Sequence, residues 1–382
     1  MQADETFDRP VELLGGLSAR TFMRRYWQKR PLLVRQALGG TGGTPAPLAR
    51  ADLLSLACRV GSDARVVIGR DAQWEVRPGP LRRRDLPSVR QPGWTVLVHG
   101  VDLHAAAARE LLERFRFIAD ARMDDLMISY ATDGGGVGPH VDAYDVFLIQ
   151  VHGQRRWRVG QVHDPRWVRG LPLKILQRFE SQHEWVLEPG DLLYLPPGWG
   201  HDGVAQGECM TCSVGFRASS TAEVAGAVLS RVADGLVDDA ADQADRYADP
   251  GAQPTAHPAR IPAGMQRHAQ QAVRRALAHP GELDRALGEW LSEPKATTWF
   301  EMPCGRRPRT RGVRLSARSR MLYDDHFVYL NGESFNAQGA DRQMLEVLAD
   351  TRCLTRQQCQ ALSKQAQAVV QQWWDDGWIV SS

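Results

Sequence analysis

Between about residues 64 and 217 the chain is cut into short segments: ARVVIG, TVLVHG, DLMISY, YDVFLIQV, RRWRVG, EWVLEPG, DLLYLPP and MTCSVGFR. Each is rich in β-branched and aromatic residues and bounded by Gly, Pro or Asp, which suits short strands. A β-sandwich or barrel is therefore expected here. Around it the pattern changes. Residues 18–30, SARTFMRRYWQKR, read as a short helix capped by Ser18 and stopped by Pro31. After Arg217, TAEVAGAVLSRVADGLVDD, MQRHAQQAVRRALA and ELDRALGEWL carry apolar residues at helical spacing, interrupted by the Pro- and Gly-rich ADPGAQPTAHPARIP. The strand-like HFVYLNGE, followed by QMLEVLAD, LTRQQCQALS and AQAVVQQWWDDGWIV, has the make-up of a winged helix. At 382 residues the chain exceeds what one core usually serves. The expected division is 1–218, 219–294 and 295–382.

Composition narrows the function classes. With 43% hydrophobic and 24% charged residues the chain is an ordinary folded protein, and a net charge of +2 excludes a general polycation strategy for nucleic acid. The start, MQADETFDRP, lacks the basic and apolar regions of a secretory signal, and no stretch reaches the roughly 18 apolar residues of a membrane span. Six scattered cysteines suit reduced thiols better than a disulfide framework. A cytoplasmic location is expected, with no membrane partner.

The most informative local sequence is GGGVGPHVDAYDVFLIQV. His140 and Asp142 are two apart where the chain becomes strand-like, so their side chains share one face and can bind one ion. LPPGWGHDGVA supplies His201 just after a turn that ends a strand. Two histidines and a carboxylate on one side of a metal form a facial triad that leaves coordination positions open for 2-oxoglutarate and oxygen. The glycines at 134–138 lead into a strand and lack a following Lys-Ser/Thr, so they suit close backbone approach and not phosphate binding. Cys209 and Cys212, three apart in a strand, face opposite ways and suit core packing better than zinc. His152, His163, His183 and His326 have no partner at ligand spacing and are read as surface or turn residues.

The ordered set of these motifs closely resembles the Jumonji-type (cupin) ribosomal oxygenases, in particular the bacterial arginyl hydroxylases among them. The likeness runs from FMRRYWQKRPLLVRQA through MDDLMISYATDGGGVGPHVDAYDVFLIQVHGQRRWRVG, EPGDLLYLPPGWGHDGVA and SVGFRA into the two C-terminal modules. It implies a mainly β fold with added helices: a double-stranded β-helix core, a helical dimerisation module and a C-terminal winged helix. It also implies an iron(II)- and 2-oxoglutarate-dependent dioxygenase that uses O2 to hydroxylate the β-carbon of an arginine on the sixteenth large-subunit ribosomal protein. Arg155, two before Trp157, matches the family's clamp for the 2-oxoglutarate carboxylate, which a guanidinium can hold bidentately. Arg156 has the opposite parity and is expected at the surface. Ser129 matches the hydroxyl partner. Thr211 is placed in the same co-substrate set, although a close relative has Asn there. By strand parity Asp125, Met127 and Ser129 share a face, Tyr144 continues the face of His140 and Asp142, and Ser213 joins Thr211. The resemblance implies that Asp125, Tyr144 and Ser213 meet the target guanidinium while Met127 packs on its stem. The plain alternative for Asp125 is a strand-entry residue satisfied by backbone donors.

Three rival readings remain at this point: a histidyl hydroxylase of a ribosomal protein, a winged-helix regulator whose cupin domain only senses a ligand, and a zinc hydrolase. The intact triad with Arg155 counts against the regulator, and the lack of an evident general base counts against the hydrolase. The Arg-rich stretch Arg306, Arg307, Arg309, Arg311, Arg314, Arg318 and Arg320 offers contact to RNA or an acidic partner, but such runs are more commonly solvated. Trp373, Trp374 and Trp378 are expected in the winged-helix core. A homodimer through 219–294 is expected, because its apolar stripes exceed what one small module buries alone.

Overall fold

Alternation of apolar and polar residues drives most of the first half into antiparallel pairing. In the computed structural model, residues 5–39, 46–70, 73–238, 246–278, 280–296, 298–303, 305 and 311–382 are described. The chain divides into two units, Met1–Ser219 and Ser220–Ser382.

The first unit is built on a ten-stranded sheet among the described residues. Its strands are β1 (Leu32–Val34), β2 (Ala64–Arg70), β3 (Gln73–Pro78), β4 (Trp94–Val98), β5 (Met123–Ala131), β6 (His140–Val141), β7 (Asp145–Gln161), β8 (His183–Leu187), β9 (Leu192–Leu195) and β10 (Trp199–Phe216). They run in the order β1-β9-β7-β10-β5-β4-β2-β3, with β6 on β10 and β8 on β7. The segments YDVFLIQV and RRWRVG are one long strand, β7. Gly153 bends it, at φ +60°, where an added Cβ would lie 2.0 Å from the Glu208 carbonyl oxygen. β10 likewise fuses GWGHDGVA with MTCSVGF, and its register against β7 shifts between Gln206 and Thr211. A glycine that marks a strand boundary by composition here marks a bend within a strand. The short strands β1 and β3 have no distinct pattern and were not expected.

Parity then sorts the two faces. Leu126, Ile128 and Tyr130 of β5 join Phe147, Ile149, Val214 and Phe216 in a core with Phe22, Trp27 and Leu53. Alternate residues point the other way, into the barrel, where Val146, Leu148, Trp157 and Leu193 pack together. The helices of this unit are α1 (Ala19–Arg25), α2 (Arg50–Ala57) and α3 (Ala106–Glu113). Ser18 caps α1, its Oγ accepting the Thr21 N–H at 3.2 Å. The helix stops at Arg25, earlier than Pro31 requires, because Gln28 adopts a left-handed φ of +55° and gives its N–H to the Tyr194 hydroxyl at 2.8 Å. Tyr194 in turn donates to Asp145 at 2.6 Å. Gln28 Nε2 and Arg122 each donate to the other oxygen of this fully buried carboxylate, both at 3.1 Å. Burial pushes the Asp145 carboxyl up, and those donors oppose the shift.

The second unit contains α4 (Thr221–Asp238), α5 (Ala263–Ala278) and α6 (Glu282–Ser292), with no helix or strand in the Pro- and Gly-rich 250–262. Three-stranded sheets formed by β11 (Val313–Leu315), β12 (Met321–Tyr323), β13 (Val328–Leu330), β14 (Glu333–Phe335), β15 (Cys353–Leu354) and β16 (Ile379–Ser381) accompany α7 (Gly339–Thr351), α8 (Arg356–Ala361) and α9 (Lys364–Asp375) in a winged-helix arrangement. Trp373 and Trp374 are in its core and Trp378 packs against it, as expected. Leu229 and Leu236 of α4, and Met265 and Val273 of α5, remain exposed. In the Arg-rich stretch, Arg318 stacks 3.9 Å from the Trp299 ring centroid. Arg306, Arg307, Arg309 and Cys304 lie outside the described residues. The five described cysteines are free thiols, with Cys209 and Cys212 fully buried. No described helix is long and apolar enough to cross a membrane.

The Tyr194–Asp145 node ties the end of α1 to the start of β7. Tyr194→Phe leaves a buried acceptor and the Gln28 N–H short of a partner, and should lower unfolding free energy by about 2 kcal/mol. Urea denaturation of the two proteins measures this; a loss below about 0.5 kcal/mol would mean the node repairs itself.

Candidate active site

A cavity of about 420 Å³ opens into the barrel face of the first unit. One of its walls is assembled by the shortest strand. β6 pairs with β10 so that His140 stands directly opposite His201. Their rings are 4.2 Å apart, centre to centre. Asp142 lies one residue past the end of β6, with its carboxylate 3.7 Å from His140 Nε2 and 3.5 Å from His201 Nε2. Gly136 lets the approach to these ligands run close: a Cβ there would stand 2.6 Å from the Gly203 carbonyl oxygen.

The hydrogen bonds decide which nitrogens face the centre. His140 Nδ1 lies 2.9 Å from the Gly138 carbonyl oxygen and His201 Nδ1 lies 3.1 Å from that of Trp199. Carbonyls only accept, so each Nδ1 carries the proton and each Nε2 presents a lone pair toward Asp142. Burial, with the neighbouring His140 second, lowers the His201 pKa to about 4, so it is neutral at physiological pH. Two lone pairs turned on a carboxylate repel one another unless a cation lies between them. One ligand atom from each of the three residues lies within 4.8 Å of the others. Metal–ligand distances of about 2.0–2.2 Å place neighbouring ligand atoms about 3 Å apart, so a small contraction brings all three onto one divalent ion. The donor set fits such a metal, and two imidazoles with one carboxylate leave other coordination positions open.

Deeper in the cavity Arg155 is 5% exposed, and its Nη1 donates to Ser129 Oγ at 3.1 Å. Its Nε and Nη2 are buried with no hydrogen-bond partner. A guanidinium held this way is costly unless an anion completes it, and a carboxylate matches its fork. The Trp157 ring lies 5.7 Å from the Arg155 guanidinium carbon and 5.9 Å from the His201 ring, forming an apolar wall between them. Arg156 points outward, with Glu184 3.7 Å away.

Asp125, Met127, Ser129, Tyr144 and Ser213 all line this cavity together with the three ligand residues and Arg155. Asp125 is 6% exposed and its Oδ2 accepts the Gly100 N–H at 2.9 Å, so the backbone-satisfied reading and the cavity position coexist. Tyr144, 40% exposed, stands at the mouth. Thr211 departs from expectation. It shares the parity of Ser213, yet it is not among the residues lining the cavity, and its hydroxyl donates to Gln150 Oε1 at 2.9 Å. The shift of β10 at this point puts Thr211 opposite Gln150, which claims the hydroxyl before a ligand can. Sequence reasoning missed Arg65, Thr95, His99, Asp124 and Lys174, which also line the cavity. Thr95 and His99 could have been found, since TVLVHG alternates and its strand neighbours DLMISY.

Comparison with known proteins agrees with this architecture. Residues 110–224 match a JmjC-domain model and residues 275–379 a ROXA-like winged-helix model. The ribosomal protein uL16 3-hydroxylase of Escherichia coli is 41% identical over 204 residues, 53% of this chain and 53% of that protein. The aligned stretch thus spans about half the length of the curated relative. A crystal structure of the E. coli ribosomal oxygenase YcfD superposes with a TM-score of 0.79 at 31% identity, covering 96% of this chain and 98% of that one. YcfD in complex with cobalt and 2-oxoglutarate gives 0.78 at 30% identity, with the same coverage. Likeness over nearly the full length of a solved relative, joined to a JmjC core and a ROXA-like winged helix, places the chain in the ribosomal oxygenase family.

Proposed function

We propose that the chain is an iron(II)- and 2-oxoglutarate-dependent oxygenase that hydroxylates an arginine side chain, at the β-carbon, of ribosomal protein uL16. The observation that carries this reading is one cavity holding both a His-Asp-His set turned on a common point and a buried guanidinium with two unpartnered nitrogens. The first fits a divalent metal and the second a dicarboxylate. The named activity of the E. coli relative, and the cobalt and 2-oxoglutarate bound by YcfD, support the same pairing.

Iron with 2-oxoglutarate and O2 supplies the oxidising power to convert C–H to C–OH, as 2-oxoglutarate loses CO2 and becomes succinate. The chain's own residues do the positioning. His140, Asp142 and His201 would hold the metal, with Nδ1 bonds to backbone carbonyls fixing both ring orientations. Arg155 would clamp the far carboxylate of 2-oxoglutarate, steadied by Ser129. Val146, Leu148 and Trp157 keep water from the space between. Asp125 and Ser213, with Tyr144 at the mouth, would meet the substrate guanidinium, and Met127 its aliphatic stem. A ribosomal-protein substrate supports a cytoplasmic location for the activity.

His140→Ala or Asp142→Ala should abolish 2-oxoglutarate turnover while the far-ultraviolet dichroism stays unchanged, because two ligands cannot hold iron in facial geometry. Turnover within a few-fold of wild type would sink the metal assignment. Arg155→Ala should instead raise the 2-oxoglutarate concentration needed for half-maximal succinate release by about tenfold or more, with metal binding kept. An unchanged titration would remove Arg155 from that role. Mass spectrometry of uL16 incubated with the enzyme, 2-oxoglutarate and oxygen should show the gain of one oxygen on an arginine; the gain on a histidine would favour the histidyl-hydroxylase reading.

The same proposal includes a homodimer formed through the helices of 219–294, regarded as a module apart from the winged helix of 295–382. Its support is the row of exposed Leu229, Leu236, Met265 and Val273 on α4 and α5. Sedimentation at micromolar concentration should give twice the chain mass, and Leu229→Glu with Leu236→Glu should return it to the monomer. A wild-type monomer would refute the dimer.

A further inference from the structure

The cavity contains a histidine with no role in the metal set. His99, immediately after β4, lines it with a side chain one-quarter exposed. Its backbone N–H donates to the Asp63 carbonyl at 2.8 Å, which pins the residue to the start of β2. Its Nδ1 stands 3.6 Å from Asp125 Oδ2, the oxygen that already accepts the Gly100 N–H. Two consecutive residues of one segment therefore approach the same carboxylate oxygen. One brings a backbone donor and the other an imidazole edge.

We propose that His99 is a positioning residue for substrate choice: its imidazole braces Asp125 from the β4 side while leaving the carboxylate's charge to a cationic side chain entering the cavity. This rests on the assignment of Asp125 to substrate recognition. The physical reason lies in what the neighbours of a nearly buried carboxylate must be. A lysine or arginine at position 99 would be a fixed internal cation, which would satisfy Asp125 and repel an incoming guanidinium. An apolar residue would take away the polar edge that faces Oδ2 beside the Gly100 N–H. An imidazole can stand beside a carboxylate without neutralising it, and still offers a polar edge. The other charged groups on the cavity are Arg65 of β2, Asp124 of β5, Asp142, Arg155 of β7, and Lys174 of the loop between β7 and β8. Asp124 is paired with Arg217 at 3.0 Å.

The test compares two peptides on the full-length protein loaded with manganese(II) and 2-oxoglutarate without oxygen. One is a uL16 peptide carrying the target arginine; the other has citrulline there, of nearly the same shape but uncharged. Calorimetry reads the affinity of each. His99→Lys should weaken the arginyl peptide about a hundredfold and the citrulline peptide by no more than about twofold, since like charges set against each other in a desolvated site repel strongly. His99→Gln, polar and uncharged, should keep both affinities within about threefold of wild type. The 2-oxoglutarate affinity should be the same in all three proteins, which a general disturbance of the barrel would not allow. Equal weakening of both peptides by His99→Lys, or no weakening of either, would overturn the role of His99. Asp125→Ala tells that failure from a failure beneath it. If wild type prefers the arginyl peptide and Asp125→Ala does not, the reading of Asp125 stands whatever His99 does. If wild type shows no preference, that reading falls and takes this proposal with it.

Discussion

The pairing of β7 with β10 carries the rest of the first unit. These strands lie side by side from Asp145 opposite Phe216 to Gln161 opposite Trp199, and nearly every functional side chain stands on them or on a strand bonded to β10. β10 brings His201 and Ser213, β7 brings Arg155, β5 adds Asp125, Met127 and Ser129, and β6 adds His140. Because side chains alternate, one register fixes which of these residues face the cavity, and a slip by one would turn all of them into the wall. The bends at Gly153 and after Gln206 allow strands this long to curve round the cavity instead of running flat past it.

On this frame the polar groups are graded by depth. Arg155, Ser129 and His201 are almost fully enclosed, Asp125 nearly so, and Tyr144 is partly open to solvent. The enclosed groups are held by a few directed bonds: Arg155 to Ser129, and His201 to a backbone carbonyl. Such bonds fix orientation without neutralising what the groups offer. The Nε2 lone pairs and two guanidinium nitrogens remain for ligands, an arrangement that costs stability in the empty protein and is recovered on binding.

Much of this was legible from residues alone, and the reasons are local. His140 and Asp142 lie two apart, His201 follows a Pro-Pro-Gly turn, and Asp125, Met127 and Ser129 alternate in one strand, so period-two reasoning gathers them. The passage from a strand-built unit to a helix-rich one follows from an equally local change of period near Arg217. Thr211 illustrates where that reasoning stops: parity gives its face correctly, but the irregular pairing after Gln206 sets it against Gln150 and removes its hydroxyl from the cavity. The helix from Ser18 ends early because of a tertiary bond to Tyr194, 166 residues away, that no nearby residue announces. Arg65 and Lys174 come from separate elements and share no motif, so only the folded sheet assembles them.

The bond between Thr211 and Gln150 has a mechanical meaning. Gln150 accepts the Thr211 hydroxyl and gives its Nε2 to the carbonyls of His152 and Gly153, so the bend of β7 is tied to β10 where their register shifts. A bulge ordinarily loosens a ladder, and here side-chain bonds replace what the ladder loses. The bend thus acts as a fixed elbow, holding the arm of β7 that carries Arg155 at a set angle to the arm that carries Val146 and Leu148.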